Sequence, residues 1–311
     1  MKRLVLALPF LLAAVLLSPS RAQTPTGAPA ATAPAASEPE TVHSIGDYID
    51  NTFKAARTVN GLLFPADGSF YPEAQYARWK DPVCFNVYGL APAAKYMVER
   101  RMKEIAAQVG APVNRADPCT PNVTIAFTTD PPATLQSIAE ARPWLVPCVG
   151  MIRTRVKESL PIQAWYADMM VGASGRGIIM NPCDDFGVTY FNGNDMTHLN
   201  SGIETGIATV VILVNTNAIM GMTLGALADH FALLALAEAR QTSSCKEVES
   251  IANLMVKDCH PALVAKEITR NDIMMLTSLY GTRDDRLQRL QHVRVISGMR
   301  KMMEADQAAG K

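Results

Sequence analysis

Residues 207–214 (IATVVILV) carry almost no polar position, and residues 222–239 (MTLGALADHFALLALAEA) carry three charged or titratable ones in eighteen. The first run is short and rich in β-branched residues, which reads as a strand covered on both faces. The second is long enough for five turns and apolar nearly all round, which places a helix in the middle of a protein. Upstream, Val98, Met102, Ile105 and Val109 share one helical face and Gly110 ends it. Val123–Phe127 reads as a strand, and Asp130 followed by Pro131 starts a helix that runs to Ala141. Ile162 to Asp168 alternates Ile162, Ala164 and Tyr166 on one face. The glycines of 172–177 (GASGRG) and the Asn192-Gly193 pair are turn signals, so 161–200 is expected to be a set of antiparallel strands. Thr269-Arg270-Asn271-Asp272 resembles a capping box that opens a helix ending at Tyr280-Gly281. A last helix, Asp284 to Met303, is expected to bury Leu287, Leu290, Val293, Ile296, Met299 and Met303, with Arg286, Arg289, Arg294 and Arg300 on much of the remainder. Together these elements predict an α+β fold, a mixed sheet packed on a buried central helix with a helical C-terminal part, formed as a single domain over 42–311.

The N-terminal pattern is of another kind. Met1-Lys2-Arg3 is a basic leader to the apolar run Leu4–Leu17, and Ser20-Arg21-Ala22 supplies small residues for cleavage before Gln23. Fourteen helical residues cover ~21 Å, short of a ~30 Å hydrocarbon core. Residues 1–22 therefore read as a signal peptide rather than an anchor. Residues 23–41 are Ala-, Pro- and Thr-rich and read as a disordered tether. The mature chain is expected to be periplasmic or secreted, soluble, and without a transmembrane segment. Of 311 residues, 49% are apolar, which excludes wholesale disorder. Basic and acidic residues balance at 29 each, and loss of Lys2, Arg3 and Arg21 leaves a slightly acidic chain. No broad cationic face is expected, and so no nucleic-acid partner.

Six cysteines lie beyond the cleavage point: Cys84, Cys119, Cys148, Cys183, Cys245 and Cys259. An even number in an exported chain predicts disulfides. Six cysteines allow fifteen connectivities. The sequential set 84–119, 148–183 and 245–259 is preferred, against a metal site built from Cys245, Cys259 and His260.

Candidate chemistry centres on Asp229, His230 and Glu238, the polar interruptions of helix 222–239. A charged pair inside an apolar helix calls for a reason: a metal ligand, a base with its orienting carboxylate, or a hydrogen-bonded interior niche. An H-E-x-x-H zinc helix is excluded, because Phe231 follows His230 and Leu234 stands one turn on. Gly172-Ala173-Ser174-Gly175-Arg176 lacks the last glycine of a nucleophile elbow, and no nucleotide cradle is present. Asp184-Asp185 sits in a turn-rich stretch and reads as a solvated loop. Sixteen methionines, clustered at Met169-Met170, Met220/Met222, Met274-Met275 and Met299/Met302-Met303, raise Cu(I) binding against simple core filling.

The order of a buried strand, a central helix and a later helix ending in Tyr resembles zincin metalloproteases. The stretch Ile268-Thr269-Arg270-Asn271-Asp272-Ile273 through Leu279-Tyr280-Gly281 is similar to the last catalytic-domain helix of matrix metalloproteases. Over about 70–300 the chain looks like uncharacterised exported proteins of alphaproteobacteria, a group of unknown function related to that architecture. The resemblance implies a zincin-like frame. The family's zinc ligands and catalytic Glu have no counterpart here, since Asp229, His230 and Phe231 stand where they belong. The expectation is a non-catalytic domain with no cofactor or metal and a binding or structural role in the cell envelope, with an envelope protein as a candidate partner. Two alternatives stay open: a peptidase-like hydrolase with a non-standard site around helix 222–239, and a Met-rich copper-handling protein.

Overall fold

Strand order in the sheet follows from which segments can be buried on both faces. A computed structural model describes residues 45–63, 75–116, 118–142, 160–172, 177–180, 202–241 and 243–310. The chain divides into two units, Met1–Thr41 and Val42–Lys311, and every described residue lies in the second. The proposed signal peptide and tether, the 148–183 cysteine pair, Ser174 and Asp184-Asp185 fall outside the described residues.

The described strands are β1 (Arg78–Trp79), β2 (Phe85–Tyr88), β3 (Val123–Thr128), β4 (Ile162–Gly172), β5 (Gly177–Met180) and β6 (Ile203–Asn215). They form one mixed sheet ordered β2-β3-β6-β4-β5, with β1 also paired to β6. The β1–β6, β2–β3 and β3–β6 ladders are parallel, while β4 runs antiparallel to both β6 and β5. The fold is therefore mixed α/β. The antiparallel expectation for 161–200 holds for β4 and β5; residues 181–201 are not described.

As the apolar run predicts, β6 is buried on both faces. Val210, Ile212 and Val214 join the main core, and Val211 and Leu213 join a smaller cluster with Leu135 and Trp165. Helix α1 (Ile45–Leu62), α2 (Pro92–Gln108) and α4 (Leu224–Leu236) serve the main core, and α3 (Pro131–Ala141) packs over the smaller cluster. α2 joins β2 to β3, and its entry needs a glycine: Gly89 has φ +85, and a Cβ there would lie 2.5 Å from the Phe127 carbonyl oxygen. The helical C-terminal part is α5 (Arg270–Tyr280) and α6 (Gln288–Ala308). α6 begins four residues later than the pattern predicts and buries Gln291, Val295, Met299 and Met303, while Val293 is 61% exposed. The expected apolar stripe is displaced because Gln291 goes inward. Its Oε1 accepts from the Tyr76 amide at 2.8 Å, and its Nε2 donates to the carbonyls of Arg283 and Asp284.

α4 is the organising element. Every residue from Ala226 to Leu236 is buried. A helix with no wet face must have its terminal carbonyls satisfied by protein. Three side chains from distant segments do this: Tyr166 Oη donates to Leu234 O at 2.8 Å, Trp79 Nε1 to Ala235 O at 2.6 Å, and Tyr280 Oη to Leu236 O at 2.7 Å. At the other end Thr223 Oγ1 accepts from the Ala226 amide.

Two disulfides are in place, Cys84–Cys119 and Cys245–Cys259, both members of the expected sequential set. Among the described residues no helix is long and apolar enough to cross a membrane. The cap of α4 makes a direct prediction. Trp79→Phe keeps the ring but orphans the Ala235 carbonyl in a dry interior, and unfolding in urea is expected to show a loss of about 1–3 kcal/mol. A change of only a few tenths would mean that water reaches the carbonyl.

Candidate functional site

Asp229 and His230 are adjacent on α4, so their side chains leave the helix about 100° apart. Each finds a different wall. Asp229 faces α2, where Arg101 Nε and Nη2 hold its two oxygens at 2.6 and 3.0 Å. The Ile268 amide donates to Asp229 Oδ2 at 2.7 Å. The carboxylate side chain is 2% exposed and the Arg101 side chain 38%, so a half-wet guanidinium neutralises a dry carboxylate. The bond to Asp229 raises the guanidinium pKa, against some desolvation.

His230 turns to the 251–253 turn. Its Nδ1 lies 2.9 Å from the Ile251 carbonyl oxygen, so Nδ1 carries the proton and donates. Burial pushes the imidazole pKa down, opposed by that hydrogen bond, and the ring is held neutral. The two residues therefore do not form a base with its orienting carboxylate, because that place on the ring is taken by a backbone carbonyl. What they do is tie α4 to three neighbours: α2, the turn at 251 and the entry to α5.

The same region contains an acid whose sequence pattern gives only part of its role. Asp272 at the start of α5 is fully buried and accepts from Ser250 Oγ at 2.6 Å, the Ile251 amide at 3.0 Å and the Thr269 amide and Oγ1 at 2.9 Å each. Burial pushes its pKa up while these four donors pull it down. The capping box read from the sequence is present, but its acid reaches beyond the helix to fix the 250–251 turn that receives His230. Asn253 completes this knot, donating to the carbonyls of Lys246, Val248 and Leu263 and accepting from the Lys246 amide. Cys245 and Cys259 are bonded to each other across this loop, and His260 Nδ1 accepts from the Ala262 amide. The three groups weighed as a metal site are thus a disulfide and a turn cap.

Glu238, the third candidate, lies just past α4 and meets Asp168 of β4, at the point where the β4–β6 register shifts. Sequence reading missed Asp168. The two carboxyls are hydrogen-bonded, and burial pushes the Asp168 pKa up to about 6, with the Glu238 bond opposing. Asp168 Oδ1 is sealed from solvent without a hydrogen-bond partner among the described residues. Burial thus lets Asp168 keep its proton into the weakly acidic range, beside a second carboxyl. No wider run of polar positions marks this pair in the chain, since its members are seventy residues apart.

Methionine placement favours packing. Met274, Met275, Met299 and Met303 belong to the main core, while Met220 is 81% exposed. Among the described residues no three His, Cys, Asp or Glu side chains converge on one point as a metal would require.

Two outcomes follow. Arg101→Met should leave Asp229 buried and half-satisfied, costing roughly 2–3 kcal/mol in denaturant unfolding. Adding Asp229→Leu should recover much of that loss. Asp168 titrates with the opposite sign to a salt-bridged acid. Its folded pKa of about 6 lies above the unfolded value of 3.8, so the folded state binds the extra proton and stability falls as pH rises from about 4 to about 6. The neutral His230 works against this, losing stability as pH falls below its unfolded pKa. Asp168→Asn should remove the falling component and leave the His230 component, read from melting temperature against pH.

No family model, curated protein or solved structure matches this chain.

Proposed function

We propose that this chain is an exported, disulfide-braced domain with a zincin-like frame and no metal centre, serving a binding or structural role in the cell envelope. One observation carries the reading. The polar pair on the central helix, where such a frame would hold its metal, is spent on internal bonds: Asp229 on Arg101 and the Ile268 amide, His230 on the Ile251 carbonyl. A ligand set needs lone pairs aimed at an open point, and this arrangement is a brace. The order of buried strand β6, buried helix α4 and later helix α5 supports the frame, as does the bond from Tyr280 at the end of α5 to the end of α4. The two disulfides are compatible with an oxidising compartment. Elemental analysis of protein purified from the periplasm, paired with a casein cleavage assay, tests the reading. The expected result is far less than one zinc per chain and no cleavage; stoichiometric zinc with chelator-sensitive cleavage would overturn it.

The Asp168–Glu238 pair favours a second reading, a hydrolase whose site lies at the exit of α4. A carboxyl that keeps its proton into the weakly acidic range beside a second carboxyl can supply the acid of an acid–base pair. That version requires metal-independent cleavage in the weakly acidic range that Asp168→Asn abolishes while the melting temperature at that pH is retained.

A further inference from the structure

Helix α1 carries two stripes, and the core uses one of them. The inner stripe, Asn51, Ala55, Val59 and Leu62, is buried, and Asn51 hydrogen-bonds Gln307 near the end of α6. At 100° per residue, Ile49 and Phe53 fall on the opposite side. Ile49 is 45% exposed and Phe53 67%, and half-buried Ala56 continues their stripe. Tyr48 is placed differently: Arg300 of α6 lies over its ring, 4.3 Å from the centroid.

Along one flank of the outer stripe four exposed side chains run acid, acid, base, base: Asp47, Asp50, Lys54 and Arg57. The helix dipole accounts for an acid in the first turn, and Asp47 is that acid. It does not account for Lys54 and Arg57, which lie inside the helix while the last turn carries no base. Asp50 and Lys54, one turn apart, form no ion pair with each other among the described residues.

This order is self-complementary when a second copy is turned end for end. In an antiparallel pair of identical helices about a twofold axis, each flank meets the same flank of its mate. With the axis at the level of Thr52, Asp50 stands opposite Lys54 of the second copy, and Asp47 opposite its Arg57. The same register brings Ile49 to the height of the second copy's Ala56, within ~1.5 Å, and the two Phe53 rings to within ~3 Å in height. A parallel pair would instead set each acid against its own twin. Charge order and apolar stripe thus agree on one register. The two acids on the flank also disfavour an anionic lipid surface as the occupant.

We propose that the outer face of α1 is the contact between two copies of this chain, packed antiparallel about a twofold axis near Thr52. The brace on α4 takes no part in it, so the dimer and the function proposed above can fail separately.

Sedimentation velocity on protein purified from the periplasm, across a wide concentration range, should show a reversible monomer–dimer equilibrium. Phe53→Lys should weaken it about tenfold or more, and Ile49→Ser severalfold. Both should keep the urea midpoint, because both side chains face away from the core. Asp50→Lys and Lys54→Asp should each weaken self-association severalfold by setting like charges opposite one another. Combining the two changes in one chain should restore it. Mixing the two single variants should give a heterodimer stronger than either homodimer. A chain that stays monomeric at every concentration, a dimer indifferent to Phe53→Lys, or charge variants that the exchange fails to restore would overturn the proposal. So would a monomer whose co-sedimentation with phosphatidylglycerol vesicles is lost in Phe53→Lys, which would assign the face to lipid.

Discussion

A helix sealed from water on every side has to settle its own polar ends, and the fold is arranged around how α4 does so. Its last carbonyls point into the core, where a missing partner costs far more than a made hydrogen bond gains. The donors come from β1, β4 and α5, three segments spread over some two hundred residues. Each donor is aromatic, so the same side chain supplies apolar bulk to the core and one polar atom to the helix end. Burial raises the Tyr280 pKa, which keeps the phenol a neutral donor under all ordinary conditions. Positions of the sheet, the helical C-terminal part and the N-terminal segment 75–80 are thereby coupled through one helix end.

The N-terminal segment is locked in a second way. Arg78 is 3% exposed and donates to the carbonyls of Leu279 and Thr282 while pairing with Asp284. Gln75 donates to the carbonyls of Asp284 and Arg286 and accepts from the Thr205 amide. Burial lowers the Arg78 pKa to about 10, still well above neutrality, so the charge persists. These contacts satisfy the end of α5 much as the aromatic donors satisfy α4. A buried guanidinium used on backbone carbonyls is a structural device, and it explains why a short two-residue strand, β1, is held so firmly.

The parts legible in the sequence are those whose cause is local. β6 and α4 announce themselves because burial on all sides removes polar residues from a contiguous run. The start of α5 is legible because its cap and its acid lie three residues apart. α1 escapes the sequence pattern because three of its large apolar side chains, Tyr48, Ile49 and Phe53, face outward and blur the helical stripe. The true face of α6 was hidden because Gln291, polar by type, is the residue that enters the core. The role of Asp229 could not be read from α4 at all: its partner Arg101 is an ordinary member of a charged stretch (Glu99–Lys103) until the fold brings α2 alongside. Asp168 has the same history. Its chemistry exists only once Glu238, seventy residues further along the chain, is brought against it. Polar positions in an apolar run signal that a partner exists; the identity of that partner is a tertiary fact.

The position of β6 has a consequence for the order in which the molecule can form. It lies between β3 and β4, both of which precede it in the chain. Until residue 215 is supplied, β3 and β4 have no common neighbour, and each presents an open edge to the solvent. Pairing such as Val123 with Val210 joins positions far apart in sequence, the kind of contact that closes slowly. A chain emerging from its N-terminus is therefore held back from completing its sheet through most of its length. That delay makes the incomplete chain dependent on whatever shields unpaired strands in the meantime.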